Sequence, residues 1–145
     1  MPGFVGIVDP GFVDRPQTLL IVDDSAAVCS ALQAYMSRVA GWEVVLTAPD
    51  AGRGLMLAAE HMPTAIVLDN RMPGGDGIDV LIDLRRACPQ ARIVMHTSED
   101  TIDLRAEAVR RGADAIIGKG RPLAELAGLV QTGTSDSVTL DDTRA

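Results

Sequence analysis

Four polar sites that could act on a phosphoryl group each follow a short apolar run of this sequence. The runs end in Asp23-Asp24, Asp69, Thr97-Ser98 and Lys119. Lys119 is the only lysine, against twelve arginines. A compact ammonium fits beside a phosphoryl oxygen in a narrow pocket where a planar guanidinium would be too broad. The plainer interpretation is a surface lysine in an arginine-rich chain, and composition alone favours it. These residues could act on one phosphoryl group only if folding brings the four strand ends together.

The apolar runs are predicted strands, because each is nearly continuous in apolar residues, as in strands covered by helices on both faces. The predicted strands are Thr18 to Val22, Glu43 to Ala48, Ala65 to Leu68, Arg92 to His96 and Ala115 to Gly118. Helical patterns alternate with them: Ser25 to Val39, Asp50 to His61, Ile78 to Cys88, Asp100 to Arg111, and a fifth from Pro122. This alternation predicts an α/β fold, a doubly wound five-stranded parallel sheet with five helices. The carboxyl ends of such strands meet at one edge of the sheet, where active sites lie.

The apolar stripes of the helices predict which side chains face the sheet. In the first helix the stripe includes Leu32, Met36 and Val39, and in the third it includes Leu81 and Ile82. We therefore expect these side chains to be buried.

Length and charge limit the classes of protein that this chain can represent. A chain of 145 residues fits one domain with its own core. Its net charge of -7 argues against a nucleic-acid-binding surface. Cys29 and Cys88 lack metal-ligand spacing, which favours reduced thiols. Neither a leader peptide nor a membrane span is indicated, so the expected location is cytoplasmic.

Three segments are predicted along the chain. Residues 1–17 are rich in proline and glycine and read as an N-terminal extension, residues 18–132 form the folded domain, and residues 133–145 form a polar tail or linker.

The order of these motifs resembles the receiver domain of bacterial two-component response regulators. An acidic pair closes the first strand, and Asp69 opens DNRMPGGDG, which is similar to the family's D-x-x-M-P-G-x-D-G loop. Thr97 closes the fourth strand, and the segment GADAIIGK leads to Lys119. Each motif alone is weak, whereas all of them in order form a specific signal. The resemblance implies a flavodoxin-like fold of the receiver type.

Asp69 is the predicted phosphoacceptor, whose carboxylate would attack a phosphoryl group to form an acyl phosphate. The alternative is that Asp69 caps a turn or the third helix. Mg²⁺ is the expected cofactor, since it prefers carboxylate and phosphate oxygens. Asp24 and Asp69 are its expected direct ligands. The resemblance adds the backbone carbonyl of Arg71, and Asp23 acting through a bound water; capping of the first helix is the alternative for Asp23 and Asp24.

Thr97 and Lys119 are the other predicted catalytic residues. Lys119 would neutralise charge on the phosphoryl oxygens, and the Thr97 hydroxyl would hydrogen-bond one of them. Ser98 could compete for the role of Thr97. His96 lies inside an apolar run, which favours a packed neutral histidine over a ligand.

Three residues bear on switching and on the lifetime of the modification. By resemblance, phosphorylation would alter the face formed by the fourth helix, fifth strand and fifth helix. The family usually rotates an aromatic side chain three residues before the lysine, but this chain has Ile116 there, so that relay is in question. Arg71 and Glu99, each two residues past an active residue, could form an ion pair across the mouth of the site. The alternative is two solvated charges at its rim.

The predicted function is a phosphoacceptor domain in two-component signalling, not an enzyme beyond its own phosphorylation and dephosphorylation. Its expected partners are a sensor histidine kinase or phosphotransfer protein, a downstream effector or output domain, and a second copy in a homodimer, without direct nucleic-acid or membrane contact. The alternatives are a phosphorylation-independent docking receiver, which Ile116 favours, and a fragment of a larger, DNA-binding regulator. A haloacid-dehalogenase-type phosphatase would need an acid two residues after the nucleophile, where this chain has Arg71.

Overall fold

The computed structural model describes residues 17–131. Its strands are β1 (Thr18–Val22), β2 (Val44–Ala48), β3 (Ala65–Leu68), β4 (Arg92–Thr97) and β5 (Ala115–Gly118). Its helices are α1 (Ala26–Arg38), α2 (Ala51–His61), α3 (Gly77–Ala87), α4 (Ile102–Arg110) and α5 (Leu123–Val130). Strands and helices alternate as the sequence predicted, with element ends shifted by one or two residues. The predicted extension and tail lie outside the described residues, except for Gln17.

All neighbouring strands are parallel, in the order β2-β1-β3-β4-β5. The order changes direction at β1, because β2 and β3 lie on its two sides. The ends of β1 and β3 are therefore adjacent at the carboxyl edge of the sheet, with β4 beside β3 and β5 at the margin. This topology places the loops after β1, β3, β4 and β5 next to one another, as a site shared by them requires.

The sheet is covered on both faces, which explains why its central strands are apolar throughout. One face packs on α1 and α5, through residues such as Leu32 and Leu126, and the other on α2, α3 and α4, through residues such as Ala58 and Leu84. All five residues of β1 are buried. Burial of apolar surface on this scale supplies the main driving force for folding.

Two predicted core positions are wrong. Val39 is 66% exposed, because α1 ends at Arg38 and Val39 already caps the helix. Ile82 is 40% exposed, because the stripe of α3 that faces the sheet is Gly77, Val80, Leu81 and Leu84. Ile82 lies beside that stripe rather than within it.

The edge strand β2 is covered in part by a side chain of α1. The Gln33 amide Nε2 donates to the Val45 carbonyl at 3.0 Å. Val44 N donates to the Gln17 carbonyl and the Ala48 carbonyl accepts from Asp23 N, so residues 44, 46 and 48 bond toward β1, because successive residues of a parallel strand bond to opposite sides. The Val45 carbonyl therefore points away from β1, and the Gln33 amide hydrogen-bonds to it.

The described residues contain no helix that combines the length and apolar character needed to cross a bilayer. Cys88 is buried, Cys29 is half-buried, and both are free thiols.

Candidate functional site

The carboxyl edge of the sheet brings a lysine and two buried aspartates into contact. The Lys119 ammonium Nζ lies 2.9 Å from Asp23 Oδ2 and 3.3 Å from Asp69 Oδ1. Asp23 is 2% exposed and Asp69 is 4% exposed. These residues come from the loops after β5, β1 and β3, which share the carboxyl edge of the sheet, and the Lys119 side chain reaches across the end of β4, which lies between β3 and β5. The Lys119 side chain is therefore largely buried and paired with carboxylates, and it is not an isolated surface lysine.

The electrostatics of this contact depend on burial first and on pairing second. Burial raises the pKa of Asp69, as does the charge of Asp23, while Lys119 and the Asn70 backbone N–H act in the opposite direction. Burial also disfavours the Lys119 ammonium, but its contacts with Asp23 and then Asp69 outweigh this and raise the lysine's pKa. Each charge is stable only in the presence of its partners.

A third carboxylate completes an acidic cluster that suits a divalent cation. Single oxygens of Asp23, Asp24 and Asp69 lie within 4.8 Å of one another, and Asp24 is exposed to solvent. An all-oxygen donor set matches Mg²⁺ or Ca²⁺ rather than a softer metal. Three acids facing one lysine leave excess negative charge, which a bound cation would offset. The residues therefore fit the cofactor that the sequence suggested.

The capping alternatives for these aspartates are only partly realised. Ser25 caps α1, since its hydroxyl accepts from Val28 N at 3.2 Å, while Asp23 Oδ1 accepts from Ser25 N at 2.9 Å. Asp69 accepts from the adjacent Asn70 N at 2.8 Å. The start of α3 is instead capped by another side chain, that of Asn70.

The Thr97 hydroxyl is fully buried at the end of β4. Its oxygen accepts a hydrogen bond from Glu99 N at 3.0 Å, and the Thr97 carbonyl accepts from Lys119 N at 2.9 Å. Thr97 therefore joins the β4–α4 loop to the lysine-bearing loop. Ser98, the competing hydroxyl, is exposed.

Arg71 and Glu99 form a two-pronged ion pair between two loops at the carboxyl edge of the sheet. Arg71 Nε lies 3.0 Å from Glu99 Oε1, and its terminal nitrogen lies 2.7 Å from Glu99 Oε2. Hydrogen bonding to Glu99 and its charge raise the pKa of Arg71. The pair links the β3–α3 loop to the β4–α4 loop.

His96 and Ile116 lie in the core behind the site. His96 is buried, and burial, followed by the Lys119 charge, lowers its pKa to about 4 despite the opposing effect of Asp23. It is a neutral packed histidine. Ile116 is also buried and contributes to a cavity of about 230 Å³ beside α5, which Arg105 and Arg121 also line.

Sequence reasoning missed Asn70, which is buried next to Asp69. Its amide oxygen accepts from Ile78 N at 2.9 Å. Asp76 is the residue at the N-cap position of α3, yet its side chain makes no capping hydrogen bond. Capping signals are read within about three residues of a helix start, and Asn70 lies eight residues before Ile78, so no local spacing pointed to it.

The chain is similar to known signalling proteins in sequence. A family profile for the response regulator receiver domain matches residues 19–131. The transcriptional regulatory protein PrrA of Mycobacterium bovis is 35% identical over 130 residues, which cover 84% of this chain and 55% of PrrA. The chain spans about half the length of the curated relatives it matches.

Solved structures show the same fold. A response regulator protein from Burkholderia pseudomallei, with a phosphorylated aspartic acid, a calcium ion and citrate, has a TM-score of 0.80 and 23% identity over 89% of this chain and 73% of that chain. The CheX-CheY-BeF3-Mg²⁺ complex from Borrelia burgdorferi matches with a TM-score of 0.74 and 25% identity, over 83% of this chain and 90% of that chain. With its five-stranded parallel sheet and its receiver motifs in order, the chain belongs to the response regulator receiver domain family of two-component systems.

Proposed function

We propose that Asp69 accepts a phosphoryl group from the phosphohistidine of a sensor kinase or phosphotransfer protein. One observation supports this above all: the Lys119 ammonium contacts the buried Asp69 carboxylate while also contacting Asp23. The family is one of signalling proteins. The chemistry proposed for this chain is limited to its own phosphorylation and dephosphorylation. The proposed location is the cytoplasm.

The proposed reaction is a displacement at phosphorus. An Asp69 carboxylate oxygen forms the new phosphorus–oxygen bond, the phosphorus–nitrogen bond to the donor imidazole breaks, and the imidazole leaves with its electron pair and takes a proton. Lys119 neutralises charge on the phosphoryl oxygens as its contact with Asp69 is replaced. The raised pKa of Asp69 is consistent with a carboxylate that requires a cationic neighbour to stay ionised.

The residues that would hold Mg²⁺ are Asp24, Asp69 and the backbone carbonyl of Arg71, with Asp23 acting through water. Bound there, Mg²⁺ would neutralise phosphoryl charge and orient the group for transfer. Asp24 is exposed, whereas Asp23 contacts Lys119 directly. This difference supports Asp24 as a direct ligand and Asp23 as an indirect one.

The proposed switch begins at Thr97. Its hydroxyl oxygen accepts the Glu99 N–H, so a turn of the hydroxyl toward a phosphoryl oxygen would give up that bond and move the β4–α4 loop. The altered face would be α4, β5 and α5, where an effector, an output domain or a second copy would bind. Because Ile116 is a packed aliphatic residue, the change would pass through the loop rather than through a swinging ring.

The proposal is tested by incubating the chain with acetyl phosphate and Mg²⁺ and measuring its intact mass. One phosphate adduct is expected in the wild type and in Asp83→Asn, which alters an exposed aspartate of α3. None is expected in Asp69→Asn or with excess chelator. An adduct in Asp69→Asn would disprove the assignment of the phosphoacceptor. No adduct in the wild type would favour the docking receiver that needs no phosphorylation.

A further inference from the structure

We propose that Asn70 is a positioning residue for phosphoryl chemistry at Asp69. It follows the phosphoacceptor directly and is 4% exposed. The inference rests on the function proposed above, and it assigns to Asn70 the task of holding Glu99, and with it Arg71, over the carboxylate. Buried polar side chains are expected to be hydrogen-bonded, and the partners of Asn70 indicate which parts it joins.

Asn70 anchors the phosphoacceptor loop to the first turn of α3. Its side-chain oxygen accepts from Ile78 N at 2.9 Å, and its backbone carbonyl accepts from Gly77 N at 2.7 Å. Two N–H groups at the start of α3, which lack partners within the helix, are thus satisfied by one residue. The backbone beside Asp69 is thereby fixed to a rigid element.

The side-chain amide nitrogen of Asn70 faces Glu99. Its amide nitrogen lies 3.5 Å from Glu99 Oε1, the oxygen that also accepts from Arg71 Nε. Glu99 N donates to Thr97 Oγ1. The Glu99 carboxylate therefore contacts two side chains of the β3–α3 loop, and the Glu99 backbone N–H contacts Thr97. Of the two side chains that contact the Glu99 carboxylate, Asn70 is buried, whereas Arg71 is 69% exposed.

This arrangement holds the Arg71–Glu99 pair between the loop that carries Asp69 and the loop that follows Thr97. Without the amide, Glu99 would retain only the exposed arginine, and exposed ion pairs hold their geometry weakly. The pair could then move away from Asp69 and admit water to an acyl phosphate. Asn70 would thus lengthen the life of the phosphorylated state without contacting the phosphoryl group.

The test compares phosphoryl loss in four proteins: the wild type, Asn70→Ala, Glu99→Ala, and the double variant, each first phosphorylated with acetyl phosphate and Mg²⁺. Asn70→Ala is expected to lose the phosphoryl group about three- to tenfold faster, the effect of losing one hydrogen bond of ordinary strength. In the Glu99→Ala background the same change should have a clearly smaller effect, because the contact between Asn70 and Glu99 is already absent there and only the cap on Ile78 N is lost. Equal effects in both backgrounds would disprove the proposal.

A second variant separates positioning from capping. Asn70→Asp keeps an oxygen for Ile78 N but removes the donor to Glu99. It should lose the phosphoryl group faster than the wild type, because a carboxylate at position 70 would repel Glu99 instead of donating to it. A wild-type lifetime in Asn70→Asp would show that Asn70 is only a helix cap. Absence of any adduct in the wild type would instead disprove the phosphoacceptor function itself.

Discussion

At the scale of single residues, the site is a set of charges that depend on one another. Lys119 contacts both Asp23 and Asp69, so removing the lysine would leave two buried carboxylates without a cationic partner, a costly outcome in a protein interior. The same mutual dependence would make the site responsive to phosphorylation, because a phosphoryl group on Asp69 would change the partner of the Lys119 ammonium.

The Arg71–Glu99 pair yields a prediction about lifetime. On the hypothesis that the pair flanks the path of the attacking water, Arg71→Ala should speed phosphoryl loss several-fold, about 0.5 to 1 kcal/mol in the barrier. Phosphate release from the phosphorylated protein measures this. Arg110→Ala, which breaks an exposed pair with Glu107 on α4, is the matched control. If Arg71→Ala leaves the lifetime of the phosphorylated protein unchanged, the alternative of two solvated charges at the rim of the site is correct.

His96 predicts a loss of stability in acid. Its pKa is about 4 in the folded chain against an ordinary 6.5, so the unfolded chain binds the proton first. The stabilisation is complete above pH 6.5 and is lost as the pH falls toward 4. About 2 kcal/mol should disappear between pH 7.5 and 5, measured by urea unfolding.

The two histidines of the chain make the control for this prediction simple. His96→Leu should flatten the pH dependence of the unfolding free energy by that amount. His61→Leu, which replaces the exposed histidine at the end of α2, should keep the acid sensitivity that His96 supplies. An equal acid sensitivity in wild type and His96→Leu would assign the effect to other groups.

At the scale of elements, the start of α3 approaches the phosphoacceptor loop more closely than any residue with a side chain would allow. A Cβ at Gly77 would lie 2.1 Å from the Asp69 carbonyl oxygen and 3.0 Å from Leu68 Cγ. The close approach lets Gly77 N reach the Asn70 carbonyl. Gly77, the last glycine of the DNRMPGGDG segment, is therefore required for packing and contributes no reactive group.

Gly77→Ala should displace the loop that carries Asp69, and we expect a loss of several kcal/mol together with slower adduct formation. Gly128→Ala is the matched control, because a Cβ on α5 meets nothing within 4 Å. That variant should gain up to about 1 kcal/mol, since alanine favours a helix over glycine. Urea unfolding and the acetyl phosphate reaction measure both effects. Wild-type behaviour of Gly77→Ala would contradict the close contact.

At the scale of the whole molecule, the two edges of the sheet have separate tasks. The carboxyl edge holds the site, and the amino edge is held together by Arg85 of α3. The Arg85 guanidinium donates to the carbonyl of Gly112 at 2.7 Å and of Ala91 at 2.6 Å, and to Asp114 Oδ2 at 2.9 Å. Asp114 in turn accepts from Ile93 N at 2.8 Å. One side chain thus joins α3 to the beginnings of β4 and β5.

Arg85→Ala should therefore cost about 2 to 4 kcal/mol of unfolding free energy, because it leaves partly buried acceptors unpaired. The adduct on Asp69 should still form under conditions where the variant is folded. Arg86→Ala, the exposed neighbour on the same helix, should change stability by less than about 0.5 kcal/mol. Loss of phosphorylation in folded Arg85→Ala would show that the two edges are coupled.

The parts of this molecule that the sequence predicted are those encoded locally. Continuous apolar runs identified the strands, and parallel topology then implied that Asp23, Asp69 and Lys119 would meet. Val39 and Ile82 were assigned wrongly because periodicity does not fix where a helix ends or how wide its buried stripe is. Asn70 was missed because its partners lie far along the chain. Such contacts depend on how loops close, which residue types alone do not reveal.

The Gln33 amide on the outer carbonyl of Val45 bears on how the protein behaves at high concentration. An uncovered margin of a sheet invites strands of other chains to add to it, the first step toward insoluble aggregates. An incoming chain would have to displace this amide before its own N–H could bond there. A side chain remote from the phosphoryl chemistry thereby helps to keep each copy from joining its neighbours strand to strand.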